Sequence, residues 1–223
     1  AQGTMAFDVY GTLSISNGTL KSIETSNTAV VWVNQTAKAD VASDAVIEAP
    51  QDCFCIAYWS DCTSASVTVA GALTGANGVT VNGLIKDTTT DNSLVVTGKI
   101  DVQGHGIYQA GFSNVSVEEG SVINAGATGI ETRAGNLTVK GGTITGGSSE
   151  TTCIANGNGT TVDNAGIAIA QHTTKLPISV RIESGNISGA SAVYEANPQQ
   201  NDQASLDQIS LAINGGSFKG NIY

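Results

Sequence analysis

The sequence predicts an all-β chain wound as a β-solenoid of about nine coils, and three observations lead to that prediction. Short β-branched runs alternate with period two, as in Leu13-Ser14-Ile15, Val67-Thr68-Val69, Leu137-Thr138-Val139 and Val180-Arg181-Ile182. No stretch of ordinary helix length keeps an i, i+3, i+4 apolar stripe free of glycine. One pattern also recurs along the chain: apolar, any residue, apolar, two spacers, glycine, any residue, apolar. It spans Val115 to Val122, Leu137 to Ile144, Val180 to Ile187 and Leu211 to Phe218, and it fits Leu13 to Leu20 near the other end.

Each element of the pattern has a physical reason. The paired apolar residues point into the coil, because side chains of a strand alternate between its two faces. The glycines (Gly18, Gly120, Gly142, Gly185 and Gly216) fall where one sheet bends into the next, a place that favours positive φ. With looser copies included, the second apolar residue of each coil reads Ile15, Val41, Val67, Val95, Val117, Val139, Val162, Ile182 and Ile213. The steps between them are 26, 26, 28, 22, 22, 23, 20 and 31 residues, a period suited to stacked coils. The first eight of these residues are expected to form one buried column. Turn signals every 8–12 residues also fit a β-sandwich, the alternative fold, but the ordered recurrence favours coils. With no linker-like stretch, residues 1–223 read as a single solenoid domain.

Composition narrows the function. Nine basic against nineteen acidic residues leave a formal charge of -10, and the basic residues do not cluster. That argues against a nucleic-acid surface and against an anionic membrane. No apolar run approaches the ~18–20 residues a membrane helix needs. Ala1-Gln2 reads as either a mature terminus left by signal cleavage or an arbitrary end. The chain stops straight after a motif at Asn221-Ile222-Tyr223, which predicts an open last coil and a truncated solenoid.

The segments Val139-Lys-Gly-Gly-Thr-Ile-Thr-Gly146, Ile182-Glu-Ser-Gly-Asn-Ile-Ser-Gly189 and Ile213-Asn-Gly-Gly-Ser-Phe-Lys-Gly220 resemble the turn repeats of secreted bacterial right-handed parallel β-helix proteins, the pectate-lyase-like superfamily. The resemblance covers the C-terminal half well and the first hundred residues loosely. It implies a right-handed parallel β-helix in a secreted or cell-surface protein. That superfamily holds polysaccharide lyases, glycoside hydrolases, phage tailspikes and adhesins, so the resemblance implies fold and not activity.

Two polar insertions interrupt the repeat, Asp87-Thr-Thr-Thr-Asp-Asn92 and Asn197-Pro-Gln-Gln-Asn-Asp-Gln-Ala204, and both read as loops outside the rod. Four cysteines raise the question of zinc or disulfides. Coil spacing puts Cys153 roughly 15 Å or more from Cys53, Cys55 and Cys62, too far for a bridge or a shared zinc. One bridge at most is expected, Cys62 with Cys53 or Cys55; otherwise the cysteines are buried small hydrophobes. No metal site or cofactor is predicted.

Catalytic signatures are faint. Gly104-His105-Gly106 and Arg181-Ile182-Glu183 resemble the Gly-His-Gly and Arg-Ile-Lys motifs of polygalacturonases. The acid pair such enzymes need is missing, and Glu183 replaces the lysine. Ordinary turn and strand residues explain both matches. Asp101, His105, Glu131 and Arg133 are the best residual catalytic set, expected to gather on one face of neighbouring coils. Glu118 and Lys140 occupy the same motif place in successive coils and read as a solvated charge ladder. Hydroxyl-rich segments lack the regular threonine ranks of ice-binding proteins, and the Asn-X-Ser/Thr triplets fit chance in such a composition.

The candidate binding surface is aromatic. Trp32, Tyr58 and Tyr108 each lie nine residues before an anchor, and Trp59 lies eight before one. Equal offsets place them in register as a strip along the rod, with Tyr58 and Trp59 facing opposite ways. The plainer reading is that these rings fill wider N-terminal coils. The leading expectation is therefore a non-catalytic extracellular adhesin or stalk whose partner is a glycan or a host or cell-surface protein. The rival is a carbohydrate-active enzyme or a tailspike-like glycan-binding module on the same fold.

Overall fold

The computed structural model describes residues 7–23, 25, 29–82 and 86–223, and shows a right-handed parallel β-helix. Nineteen strands join into one wrapped sheet system, because several long strands, such as Lys38–Ile56 and Asn186–Glu195, bend across the corners. The wall has three faces. Each rung pairs in parallel with the rungs above and below, so backbone hydrogen bonds run along the axis.

Four apolar columns fill the interior. On the first face, Leu13, Ala39, Val67, Leu94, Val115, Leu137, Val180 and Leu211 stack in register. Two residues on, Ile15, Val41, Val69, Val96, Val117, Val139, Ile182 and Ile213 form the second column. The second face contributes Leu20, Ile47, Leu73, Ile100, Ile123, Ile144, Ile187 and Phe218. The third contributes Phe7, Val31, Phe54, Val79, Ile107, Ile130, Ile167, Val193 and Ile222. Residues in the middle of each column are almost completely buried. Those at the two ends, such as Phe7, Ile213 and Ile222, are exposed.

The expected single column needs three corrections. Val67 lies inside but one column over, paired with Ala39 and Leu94. Val95 alternates outward, because Leu94 and Val96 take the interior positions. Val162 belongs to no rung: it pairs antiparallel with Cys153 in a two-residue ladder. Val139 stacks directly on Ile182, 43 residues on, so the first face has eight rungs and the intervening excursion is an insertion. The imitation is understandable, because Gly166 belongs to a different corner of the coil and mimics the motif glycine. The true motif glycines behave as expected: Gly18, Gly120, Gly142, Gly185 and Gly216 all have positive φ.

The cysteines are free thiols. The bridge expected from Cys62 to Cys53 or Cys55 is absent, because their sulfurs serve different neighbourhoods. Cys62 Sγ accepts from Gln35 N at 3.0 Å, while Cys53 Sγ donates to Thr74 O at 3.5 Å. Cys55 points to the outer side of the third face, in register between Trp32 and Thr80. Elsewhere the Glu118–Lys140 pair closes at 2.8 Å on the surface, as expected of a charge ladder. In the first polar insertion, 87–89 is an exposed turn pinned by Asp87 Oδ1, which accepts from Thr89 N at 2.8 Å, and Thr90 is already buried. Asn92 is fully buried and its Oδ1 caps Ala65 N at 2.8 Å. No helix among the described residues is long and apolar enough to cross a membrane.

Candidate functional site: a cleft between the aromatic wall and the flap

The outward side of the third face places one residue per rung in line: Asp8, Trp32, Cys55, Thr80, Tyr108, Glu131, Ala168 and Tyr194. Trp32 and Tyr108 thus share a column, three rungs apart. Tyr58 reaches Trp32 differently. Its strand ends at Ile56, and Ala57 turns the chain at φ 56°, which brings the Tyr58 ring against Trp32 with centroids 4.5 Å apart at 75°. Trp59 meets Tyr58 edge-on at 4.7 Å and is 49% exposed. Neither Tyr58 nor Trp59 points inward as alternation implied, because the strand has already ended. These rings do not fill the coil either; Phe54 occupies the interior there.

After Gly147, whose backbone still bonds Ala127 and Ala190 in the neighbouring rungs, residues 148–164 leave the wall and fold back over this face as a flap. The tip is an Asx turn in which Asn156 Oδ1 accepts from the backbone of Asn158 and Gly159, both at 3.0 Å. Its return strand is held by Glu131, whose carboxylate accepts from Thr161 N at 2.8 Å, Thr161 Oγ1 at 2.6 Å and Val162 N at 3.3 Å. Arg133 Nε donates to Ala170 O at 3.1 Å and Nη1 donates to Gly159 O and to the Tyr108 hydroxyl. His105 Nε2 lies 3.1 Å from Val162 O, 3.4 Å from Asp163 Oδ1 and 3.8 Å from Glu131 Oε2.

Three of the four residues expected to gather therefore do so. Asp101 does not: it sits on the second face and pairs with Lys99 at 2.6 Å. The gathered three form a lock beneath the flap. Glu131 and Arg133 are wholly inaccessible; the flap's return strand occupies the Glu131 carboxylate, while Arg133 divides its bonds among the Ala170 carbonyl, the Tyr108 hydroxyl and the Gly159 carbonyl of the flap. Burial pushes the Glu131 carboxyl up, against the opposing pull of its Thr161 bonds and of His105. The flanking glycines of His105 are structural as well. A Cβ on Gly106 would lie 2.5 Å from Gly129 O, and one on Gly104 would lie 2.3 Å from Asn77 Oδ1. Arg181 and Glu183 form a surface ion pair at 2.9 Å.

His172 seals the same flap from the next position along. Its Nδ1 accepts from Thr174 N at 3.2 Å, and its other side faces the Gly157 backbone. Burial, then the charges of Arg133 and Lys86, lower its pKa to about 4. The unfolded chain binds this proton near 6.5, so the neutral ring stabilises the fold fully above that pH. That contribution is lost as the pH falls from about 6.5 to 4. Acid titration over this window should weaken the protein, and the trend should flatten in His172→Gln, as denaturant melts at each pH would measure.

Between the flap tip and the aromatic wall lies a cleft of about 350 Å³ lined by Trp32, Asp52, Tyr58, Asn82, Tyr108 and Gly159, among others. Asp52 lies three residues before Cys55 on the same strand, paired in register with Ala29, three residues before Trp32, and with Asn77. Its carboxylate accepts from Asn77 Nδ2 at 3.1 Å, and Thr80 also bonds it. Burial raises its pKa, against those hydrogen bonds. Burial also pushes the Tyr108 phenol up to about 12, so its hydroxyl stays protonated at the inner end of the cleft. Sequence offsets located the aromatics but not the flap, whose short antiparallel ladder resembles one more coil, nor Asp52, which belongs to no motif.

Comparison with known proteins returned no match: no family model fits the chain, and no curated protein or solved structure is significantly similar. The fold and the cleft define the chain as a parallel β-helix bearing a flap-bounded aromatic cleft on its third face.

Proposed function

We propose that this chain is a non-catalytic extracellular β-solenoid, a cell-surface adhesin or stalk of the pectate-lyase-like kind, which holds a glycan in the cleft between Trp32, Tyr58 and the flap. One observation carries the reading: the half-buried Trp32 and Tyr58 rings line an open cleft together with Asp52, Thr80 and Asn82. Flat rings stack on the C–H faces of sugars, and short polar side chains beside them meet the hydroxyls. Sites of this kind serve binding without chemistry when no acid and base converge on the ligand. Here the buried carboxylate that approaches a histidine, Glu131, is spent on the flap.

Trp32→Ala should weaken glycan capture about tenfold or more, as loss of one stacking ring predicts. Because Trp32 lies outside the packed interior, the variant should stay folded. A glycan array followed by calorimetry on the best ligand checks both expectations. Unchanged affinity in Trp32→Ala would sink the cleft reading. Release of shortened sugars from the array ligand would establish catalysis instead.

A further inference from the structure

We infer that the cleft selects glycans bearing a free, protonated amine, through the Asp52 carboxylate set among the rings of Trp32, Tyr58 and Tyr108. The inference rests on the glycan reading above and specifies its ligand. Among the described residues that line the cleft, Asp52 is the one charged side chain, and none is a lysine, arginine or histidine. The nearby guanidinium of Arg133 is turned into the wall, where Tyr108 caps Nη1 at 3.1 Å and Glu131 lies 3.9 Å from Nε. Its charge is thus balanced inside the lock and is not offered to a ligand.

The placement of Asp52 favours a cation over a neutral partner. Asn77 and Thr80 hold the carboxylate in one orientation, so it is organised before any ligand arrives. Its half-buried setting is one in which a carboxylate gains more from an ammonium than it would in water. Trp32 lies one rung from Asp52 and Tyr108 two rungs away on the other side, roughly 5 and 10 Å along the axis. The Trp32 indole leans back toward Asp52, its Nε1 donating at 3.2 Å to the carbonyl of Ala29, the register partner of Asp52, so an ammonium held by Asp52 sits beside an electron-rich ring, which attracts cations. Tyr58, at 75° to Trp32, supplies a second wall. The formal charge of -10 draws cationic ligands in and repels sugar acids. An N-acetylated amine loses the charge and adds bulk at the same point. A uronic acid places a second anion beside Asp52.

The test compares fully deacetylated glucosamine tetramer, its N-acetylated counterpart and a galacturonic acid tetramer by calorimetry on the whole chain. The deacetylated tetramer should bind at least tenfold more tightly than the acetylated one, with the acid weakest. This preference should shrink as salt is raised. In Asp52→Asn the two hexosamine tetramers should bind about equally, with the acetylated one little changed from the parent. Equal binding of the two tetramers by the parent chain, or a preference that survives in Asp52→Asn, would overturn the inference. Capture of neutral glycans that depends on Trp32 but ignores the amine would overturn this inference alone. If Asp52→Asn does not fold, the parent chain's own ratio and its salt dependence still decide.

Discussion

Glu131→Ala is expected to cost about 3–5 kcal/mol, the usual consequence of stranding one member of a buried ion pair. Arg133 would then carry its charge in a fully buried site without the carboxylate 3.9 Å away. Its Nη2 has no hydrogen-bond partner among the described residues, so the guanidinium leans on that negative charge more than a fully bonded arginine would. The same substitution removes the acceptors of Thr161 N, Thr161 Oγ1 and Val162 N, leaving flap donors unsatisfied. Two readouts separate the effects. Urea melts report the whole cost, and limited proteolysis within 150–164 reports the freed flap. The double variant Glu131→Leu/Arg133→Met should recover much of the melt stability, because a buried pair replaced by apolar groups avoids both desolvation penalties. A Glu131→Ala cost below about 1 kcal/mol would mean that the flap is held by its backbone contacts and not by this lock.

The lock also shows what can be read from sequence and what cannot. The repeat was legible because it is local: two inward apolar residues and a positive-φ glycine lie within eight positions of one another, five times over. Register within the repeat was less so. In Leu94-Val95-Val96 three apolar residues are adjacent, and only the pairing of Val69 with Val96 shows that Val95 faces out. The flap was hidden for another reason. Val162-Asp163-Asn164-Ala165-Gly166-Ile167 satisfies the apolar and glycine positions of a coil, yet its valine and its glycine serve different structures. The convergence of His105, Glu131 and Arg133 followed from coil arithmetic. Their role did not, because it depends on the segment that covers them. The aromatic offsets succeeded for Trp32 and Tyr108, which share a column, while Tyr58 arrives beside them through the turn at Ala57.

Glycine substitutions should separate close approach from backbone conformation. Gly78, Gly106, Gly129 and Gly166 line one corner, and a Cβ on each would press against a carbonyl oxygen of the next rung. At Gly129 the two nearest atoms would be Gly166 O at 2.5 Å and Ile144 Cγ2 at 2.6 Å. Neither can retreat: the carbonyl is fixed by the rung beneath, and Ile144 is fully buried in its column. Gly129→Ala should therefore destabilise by about 2–4 kcal/mol, at the upper end for an overpacked interior. Gly18 poses a different problem, with φ 78° but no atom of the described residues within 4 Å of its Cβ, so Gly18→Ala should cost only about 1–2 kcal/mol. Among the described residues Gly11 meets neither constraint, and Gly11→Ala should be neutral or stabilising by up to about 1 kcal/mol. Denaturant melts of the three variants should rank Gly129 well above Gly18 and Gly18 above Gly11. Equal costs at Gly129 and Gly18 would mean that the rungs spread apart to admit a methyl group. The corner would then be softer than the stacked carbonyls imply.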